Sequence, residues 1–267
     1  MNEPFIIHPE PLTDFHKRSI TLLGKTKDVY VMGEGPAVIV MSEMPGIYQM
    51  VADFARKVRD AGFTVYMPHM FGVAGKPIST GYALGSMARA CISKEFHALS
   101  ANKSSPIVDW LRALARQAHE ECGGKGVGAI GMCFTGNFAL NLMLEPAVLA
   151  SVMSQPSLPL FRKGGMAIDP EELRCIKDRL DKDDLTVKAY RFEGDGFCQP
   201  ERFAEFQAAL GDKFDATVLP DESARQGVPM APHSVVTMHL IDEEGQPTRQ
   251  ALDEILAFYR ERLLDAA

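Results

Sequence analysis

The sequence has few cysteines, no surplus of basic charge and no long apolar run. Its 267 residues include five cysteines, an odd number with no C-x-x-C pair, which argues against a disulfide framework. Lys and Arg number 28 against 35 Asp and Glu, so the net charge is -7. The chain therefore lacks the basic surface that nucleic acids and anionic membranes attract, and we expect neither as a partner.

Targeting and metal-binding patterns are also missing. No apolar stretch approaches the roughly 18 residues of a spanning helix. The first residues, MNEPFIIHPEPLTDFHKR, contain no apolar signal-peptide region, so we expect a cytoplasmic protein with free thiols. The Cys and His residues show no zinc spacing, and we expect neither a metal nor an organic cofactor.

Short β-branched runs alternate with helical patterns along the chain, which is typical of an α/β fold with a mostly parallel sheet and helices on both faces. About seven strands in one sheet would use the whole chain, so we predict a single domain over residues 1–267. Residues 68–104 break the alternation, and we expect them, with residues 220–235, to cover a pocket. The predicted strands are residues 29–32, 37–42, 63–67, 126–132, 149–153, 185–192 and 214–219. The predicted helices are residues 50–61, 105–122, 134–144, 169–180, 200–210 and 247–263.

One glycine pattern resembles a dinucleotide-binding motif but lies in the wrong structural context. Residues 126–131, GVGAIG, match the G-x-G-x-x-G of dinucleotide sites. Such a site needs its glycines in the turn after a strand, whereas these lie inside the apolar strand itself. We therefore expect no dinucleotide cofactor.

The most informative segment is GMCFTG, residues 131–136, which joins an apolar strand to a helix. The nucleophile elbow G-x-S-x-G has this layout, with small residues on both sides of the corner because the two backbones nearly touch. Cys133 replaces the serine, and the helix beginning at Phe134 directs its N–H groups at the sulfur, which favours a thiolate and can hold an oxyanion. Thr135 replaces the usual second glycine, so we expect some crowding before Gly136.

A thiol nucleophile needs a base and a group that orients the base. Asp195 lies between two glycines directly after the strand ending at Phe192, whereas Asp181, Asp183 and Asp184 form a charged run that we expect to face solvent. Asp195 is therefore the candidate acid.

His233 is the candidate base, because it follows the last predicted strand across a loop rich in proline and glycine. His239 is its rival, which the pattern places as a surface or packing residue. An isolated loop histidine is usually exposed to solvent. The order Cys133, Asp195, His233, which is the chain order of α/β-hydrolases, favours the catalytic interpretation.

Four motifs in this order resemble the dienelactone hydrolase family of α/β-hydrolases, and the match extends loosely from about Lys25 to the closing helix. The motifs are GMCFTG, GDGFCQP, His233-Ser234 and SEMPG at residues 42–46. The resemblance implies an α/β-hydrolase fold and a hydrolase for small esters or lactones. It implies Cys133 as nucleophile, His233 as base and Asp195 as its orienting acid.

The same resemblance assigns three further groups. It implies that Glu43 lies near the thiol and takes its proton when substrate binds. It implies an oxyanion hole formed by the backbone N–H groups of Met44 and Phe134. The chain departs from the family where an arginine is usual a few residues beyond the histidine, because SVVTM holds none. Arg89 and Lys94 are candidates to replace that charge.

Two other functions stay open. The chain could be a non-catalytic, hydrolase-like protein that binds a small molecule, if Thr135 and the missing arginine have closed or repurposed the site. It could also be a thiol-redox protein using Cys133 or Cys198, although the lack of C-x-x-C disfavours this. The sequence does not indicate an oligomeric state or a substrate.

Overall fold

The computed structural model describes residues 5–265 of the chain. Its strands are β1 (His16–Leu22), β2 (Lys25–Met32), β3 (Ala37–Met41), β4 (Thr64–Pro68), β5 (Val127–Met132), β6 (Val148–Ser154), β7 (Val187–Phe192) and β8 (Phe214–Leu219). Its α-helices are α1 (Gln49–Asp60), α2 (Thr80–Ile92), α3 (Ile107–Cys122), α4 (Gly136–Leu142), α5 (Pro170–Lys182), α6 (Pro200–Leu210) and α7 (Pro247–Leu263).

The eight strands form one sheet in the order β1-β2-β4-β3-β5-β6-β7-β8. β1 pairs antiparallel with β2, and β2 antiparallel with β4. From β4 to β8 every pairing is parallel. The central strands β3 and β5 are buried along their whole length, as expected for parallel strands covered on both faces.

Two apolar cores lie on the two faces of the sheet. One contains side chains of α1 and α7, such as Val51, Phe54 and Ile255. The other contains side chains of α3, α4, α5 and α6, such as Trp110 and Phe138. The predicted arrangement, a mostly parallel sheet with helices on both faces, is confirmed. Because parallel strands end at the same edge, this arrangement brings the loops after β3, β5 and β7 together.

Two elements were missed by the sequence prediction. β1 was not predicted because HKRSITL buries only Ile20 and carries a polar edge. Residues 68–104 include α2, which was also missed. That helix buries only Ser86 and Ala90 while leaving Leu84 and Ile92 exposed, so its apolar residues do not mark its buried face.

Within residues 5–265, no helix has both the length and the apolar character needed to cross a membrane. The prediction of a single domain over 1–267 includes residues outside the described range and stays a prediction. All eight strands, from β1 to β8, nevertheless share one sheet.

Candidate active site

Four side chains that the sequence singled out come from loops at the carboxyl edge of the sheet. Glu43 follows β3, Cys133 follows β5, Asp195 follows β7, and His233 lies in the long segment after β8. All four are buried, with exposures of 1%, 8%, 2% and 3% respectively. The groups are widely separated in sequence, and their loops meet because β3, β5, β7 and β8 are parallel strands of one sheet that end at the same edge.

Cys133 occupies a strained corner between β5 and the following helix. Its φ of 53° lies in the left-handed region, which is uncommon for a residue with a side chain. A Cβ at Gly131 would collide with the Thr135 carbonyl oxygen, and one at Gly136 would lie 2.5 Å from Pro156 Cα. The two glycines therefore allow the close approaches that an elbow needs.

Thr135 does not crowd this turn, contrary to the expectation from the glycine pattern. The close approach to the neighbouring loop falls on Gly136, one residue later. The Thr135 hydroxyl accepts a hydrogen bond from the Met132 N–H at 2.8 Å and donates to the Met41 carbonyl at 3.0 Å. Thr135 thereby joins β5 to the end of β3.

Asp195 and His233 form a buried pair. His233 Nδ1 donates to Asp195 Oδ2 at 2.8 Å. The other carboxylate oxygen accepts the backbone N–H groups of Phe197 at 2.8 Å and Cys198 at 3.0 Å. Burial alone would raise the pKa of Asp195, but the charge of His233 and these hydrogen bonds lower it overall. Asp195 is therefore an ionised acceptor that fixes the His233 ring.

The pKa of His233 reflects its position between two acidic groups. Burial alone would lower it, but the charges of Cys133 and Asp195 and hydrogen bonds to both raise it well above its ordinary value. His233 Nε2 lacks a well-aligned hydrogen-bond partner among the described residues. Such loose geometry is common between catalytic groups before substrate binds. The arrangement can therefore hold a proton on His233 next to Cys133.

Glu43 is held by four neutral donors. Tyr48 and Thr237 donate their hydroxyls to Oε1, while Ser234 Oγ at 2.7 Å and Gln155 Nε2 at 3.2 Å donate to Oε2. These four bonds fill the acceptor capacity of a carboxylate. Within residues 5–265, Glu43 has neither an ion-pair partner nor a hydrogen bond to Cys133.

Sequence reasoning missed Tyr48, Gln155 and Thr237. Burial raises the pKa of the Tyr48 phenol well above its ordinary value, and the charge of Glu43 raises it further. Tyr48 is therefore a neutral donor to Glu43. No local signal marks these residues, because each reaches Glu43 only through the tertiary fold.

The oxyanion hole expected from the resemblance consists of the backbone N–H groups of Met44 and Phe134. The Met44 N–H donates to no protein acceptor within residues 5–265. Phe134 belongs to the first turn after Cys133, where N–H groups have no acceptor within the helix. The Phe134 ring packs against Phe71 and Phe96, with ring centroids 5.2 Å and 5.5 Å away. Residues of the 68–104 segment thus lie directly over this turn.

His239 is buried, at 1% exposure, so the packing alternative for this residue is correct and the surface alternative is wrong. Its Nδ1 accepts the backbone N–H of His233 at 3.3 Å and of Ser234 at 3.2 Å. The charged run at residues 181–184 contains the alternatives to Asp195. It is exposed to solvent, as the sequence predicts.

Two buried arginines, which sequence reasoning did not identify, hold the flanking loops. Arg191 donates to the carbonyls of Phe192 at 2.8 Å and Cys198 at 2.9 Å, on either side of Asp195. Arg202 donates to four carbonyls in residues 158–165. Arg89 and Lys94, which the sequence offered as substitutes for the missing arginine, are both exposed.

Cys198 differs sharply from Cys133. It is fully buried, and burial together with the charge of Asp195 raises its pKa well above the ordinary value. Such a thiol is a poor redox group at neutral pH.

Within residues 5–265, no three His, Cys, Asp or Glu side chains are grouped to hold a metal ion.

Solved structures with the same fold include a Klebsiella pneumoniae protein assigned as a dienelactone hydrolase. It is 15% identical, with 92% of this chain and 98% of that chain covered and a TM-score of 0.64. A dienelactone hydrolase-like promiscuous phosphotriesterase from metagenomic libraries is 17% identical, covering 93% and 98%, with a TM-score of 0.60. A cold-adapted esterase from an Arctic intertidal metagenomic library is 13% identical, covering 92% of each chain, with a TM-score of 0.55.

These TM-scores, over nearly the whole of each chain, show a shared α/β-hydrolase fold. No curated protein matches the sequence. The family comparison is more specific, because the dienelactone hydrolase model matches residues 21–161, more than half of the chain. That match includes the strand that precedes Glu43 and the whole elbow around Cys133, and the chain therefore belongs to the dienelactone hydrolase family.

Proposed function

We propose that the protein hydrolyses small carboxylic esters or lactones through Cys133 and a thioester intermediate. The observation that carries the proposal is the buried hydrogen bond between Asp195 and His233, together with a buried thiol at a strained elbow whose charge raises the pKa of His233. A histidine oriented by an ionised carboxylate and placed beside a nucleophile is the arrangement required for acyl transfer.

In the proposed reaction, Glu43 takes the thiol proton when substrate binds, and Cys133 Sγ attacks the carbonyl carbon as a thiolate. His233 already carries the proton that it later gives to the leaving group. The carbonyl oxygen becomes an oxyanion, which the N–H groups of Met44 and Phe134 stabilise. The intermediate collapses, the C–O bond to the leaving group breaks, and His233 gives its proton to the departing alkoxide. Water, deprotonated by His233, then attacks the thioester and releases the acid and the thiolate, which recovers its proton from Glu43.

Glu43 is proposed to accept the thiol proton when substrate binds, as in the family pattern. Its four neutral donors set a condition on this step. Gln155 Nε2 can only donate, so Glu43 can be protonated only if the hydroxyl of Tyr48, Thr237 or Ser234 turns to accept. Shared protonation would avoid placing two buried anions side by side.

We also propose that the preferred substrate carries no carboxylate. Family members that bind acidic lactones use arginines, whereas here Glu43 lies among neutral donors and the buried Arg191 and Arg202 donate to backbone carbonyls. Glu43 and Asp195 place two acidic groups at the site. A neutral ester or lactone avoids their repulsion.

The decisive test is a search for an acyl adduct on Cys133. The protein is mixed with a panel of p-nitrophenyl esters and enol-lactones, quenched in acid and analysed by peptide mass spectrometry. We expect an acyl thioester on the Cys133 peptide and turnover that Cys133→Ala abolishes. Peptide resolution is necessary because Cys175 is exposed and reacts with small electrophiles independently.

A hydrolase-like binding protein is the alternative function. It predicts that the wild type and Cys133→Ala release p-nitrophenol equally slowly from every ester and that neither carries an adduct. Equal rates on a panel that includes both esters and lactones would favour binding over catalysis.

A further inference from the structure

A second buried histidine, His239, accepts a hydrogen bond from the backbone of the proposed base. His239 follows His233 by six residues, and its N–H donates back to the Ser234 carbonyl at 3.0 Å, closing a turn around the segment. Its ring packs against Phe192, the last residue of β7, with ring centroids 5.9 Å apart. The ring is therefore fixed between the histidine loop and the strand that leads to Asp195.

The contacts of this ring require one tautomer. His239 Nδ1 faces the backbone N–H groups of both His233 and Ser234, and two donors can be satisfied only by an unprotonated nitrogen. A neutral ring with its proton on Nε2 meets this requirement. If His239 were doubly protonated, Nδ1–H would point at two other N–H groups and both bonds would be lost.

We propose that His239 is a positioning residue for His233, holding the base against Asp195 through its unprotonated Nδ1. This assignment rests on the proposed catalytic role of His233 and extends it to a residue that does not touch substrate. Loss of the acceptor would leave two buried N–H groups unpaired and free the backbone that carries the base.

The surroundings of His239 keep it neutral. Burial lowers its pKa, and the charge of His233 lowers it further. The Met230 carbonyl and the charges of Glu43 and Asp195 act in the opposite direction but do not overcome burial. Arg225, whose N–H donates to the His239 carbonyl, directs its guanidinium over the Phe5 ring instead.

Two substitutions of His239 distinguish the effect of its hydrogen-bond acceptor from the effect of its volume. In His239→Asn, Oδ1 takes the place of Nδ1 and can accept both N–H groups, whereas His239→Leu fills similar space with no acceptor. We expect a loss of about ten- to a hundredfold in kcat/KM for the leucine variant, because small displacements of a catalytic group have effects of this size. The asparagine variant should recover to within about threefold of the wild type, as the hydrogen bonds are restored. His119→Leu on α3 serves as a control outside the site.

Two readouts do not need an ester substrate. The first is the rate at which iodoacetamide alkylates Cys133, followed by peptide mass spectrometry. The second is amide hydrogen exchange at His233 and Ser234, which reports their hydrogen bonds directly. Both should change in His239→Leu and return towards wild type in His239→Asn, even if no ester is turned over. Failure of the proposed hydrolysis is therefore distinguishable from failure of this inference.

The inference is overturned if His239→Leu matches the wild type in alkylation and exchange, or if a stably folded His239→Asn is as impaired as the leucine variant. Should the variants not fold, nitrogen NMR of labelled histidine in the wild type decides the matter. We expect an unprotonated Nδ1 on His239 at neutral pH, and a proton on that nitrogen would refute the positioning role.

Discussion

Thr135 shows how a departure from a motif is compensated at the level of single atoms. Glycine at this position would bring no side chain to the turn, but Thr135 supplies a hydroxyl between the Met132 N–H and the Met41 carbonyl. The glycine needed for the close approach is Gly136. The elbow therefore keeps its geometry and gains a link between β5 and β3.

Removing that hydroxyl should destabilise the protein. Thr135→Val keeps the shape of the side chain but leaves the Met132 N–H buried without a partner, which costs about 1–3 kcal/mol. We expect a decrease of this size in the free energy of unfolding by urea. Thr135→Ser retains the hydroxyl and should lose less, and equal losses in both variants would contradict the assigned hydrogen bonds.

Asp195 acts through His233 rather than on the substrate. In Asp195→Asn the amide no longer carries the charge that favours a protonated His233, and it can present a donor to Nδ1. We expect kcat to fall by about 10²- to 10⁴-fold, as when other catalytic histidines lose their carboxylate. Circular dichroism should stay unchanged, whereas a near-normal kcat with a good ester would exclude Asp195 as the orienting group.

The proposed catalytic residues and their partners differ in how far the sequence reveals them. Cys133 and Asp195 could be singled out because each directly follows a strand at a turn that contains glycine. His233 could be singled out because it follows the last strand across a loop that contains proline and glycine. Tyr48, Gln155 and Thr237 carry no such mark, because their relation to Glu43 arises only when distant loops meet. His239 was underestimated for the same reason.

At the scale of elements, the sequence predicts the helices and strands whose apolar residues are the ones buried in the structure. β8, α6 and α7 have the predicted bounds, and β5 differs by one residue. α2 was missed because its exposed face carries Leu84 and Ile92. The helix predicted over residues 105–122 begins at Ile107 without a side-chain cap, and the Ser105 hydroxyl donates to the Phe96 carbonyl.

β1 is an edge strand that depends on polar contacts. Arg18 donates two hydrogen bonds to Glu121 at the end of α3, and Tyr66 on β4 donates a third. The Arg18 hydrogen bonds are the largest cause that lowers the pKa of Glu121 to about 2. The ionised carboxylate therefore links three elements at this end of the sheet.

This link predicts a pH dependence of stability. Because the folded pKa of Glu121 lies below its ordinary value of 4.5, its contribution is complete above about 4.5 and is lost as pH falls towards 2. We expect Glu121→Gln to be less stable than the wild type at neutral pH, with the difference shrinking over that range. Urea unfolding at several pH values measures this. Glu120→Gln, an exposed neighbour, serves as the control, and a constant difference for Glu121→Gln would refute the ionic contribution.

At the scale of the whole molecule, both the net charge and the position of the buried carboxylates bear on the charge of the substrate. The chain has a net charge of -7, and Glu43 and Asp195 lie buried at the carboxyl edge. The described basic residues nearest these loops in sequence, Arg191 and Arg202, are used to hold backbone carbonyls. In the proposed function, an anionic substrate approaching this edge would therefore be repelled by Glu43, and neither Arg191 nor Arg202 would be available to bind its charge.

A matched pair of esters tests this consequence. p-Nitrophenyl butyrate and p-nitrophenyl hemisuccinate have acyl chains of similar length, but only the second carries a carboxylate at neutral pH. Unit charges about 4 Å apart interact by about 1 kcal/mol in water and about 4 kcal/mol near a protein surface. We therefore expect kcat/KM to favour the butyrate by about tenfold or more, since about 1.4 kcal/mol corresponds to a factor of ten.

The dependence of both rates on salt shows whether the preference for butyrate arises from charge or from shape. Raising the ionic strength from about 0.01 M to about 1 M shortens the Debye length from about 30 Å to about 3 Å, which weakens the long-range repulsion of the hemisuccinate. The preference for butyrate should therefore narrow, while the butyrate rate itself changes little. Cys133→Ala gives the background for both esters. Hydrolysis of the hemisuccinate as fast as the butyrate at low salt would mean that an unidentified cation receives the carboxylate, and Arg89→Ala and Lys94→Ala would then show whether either residue supplies it.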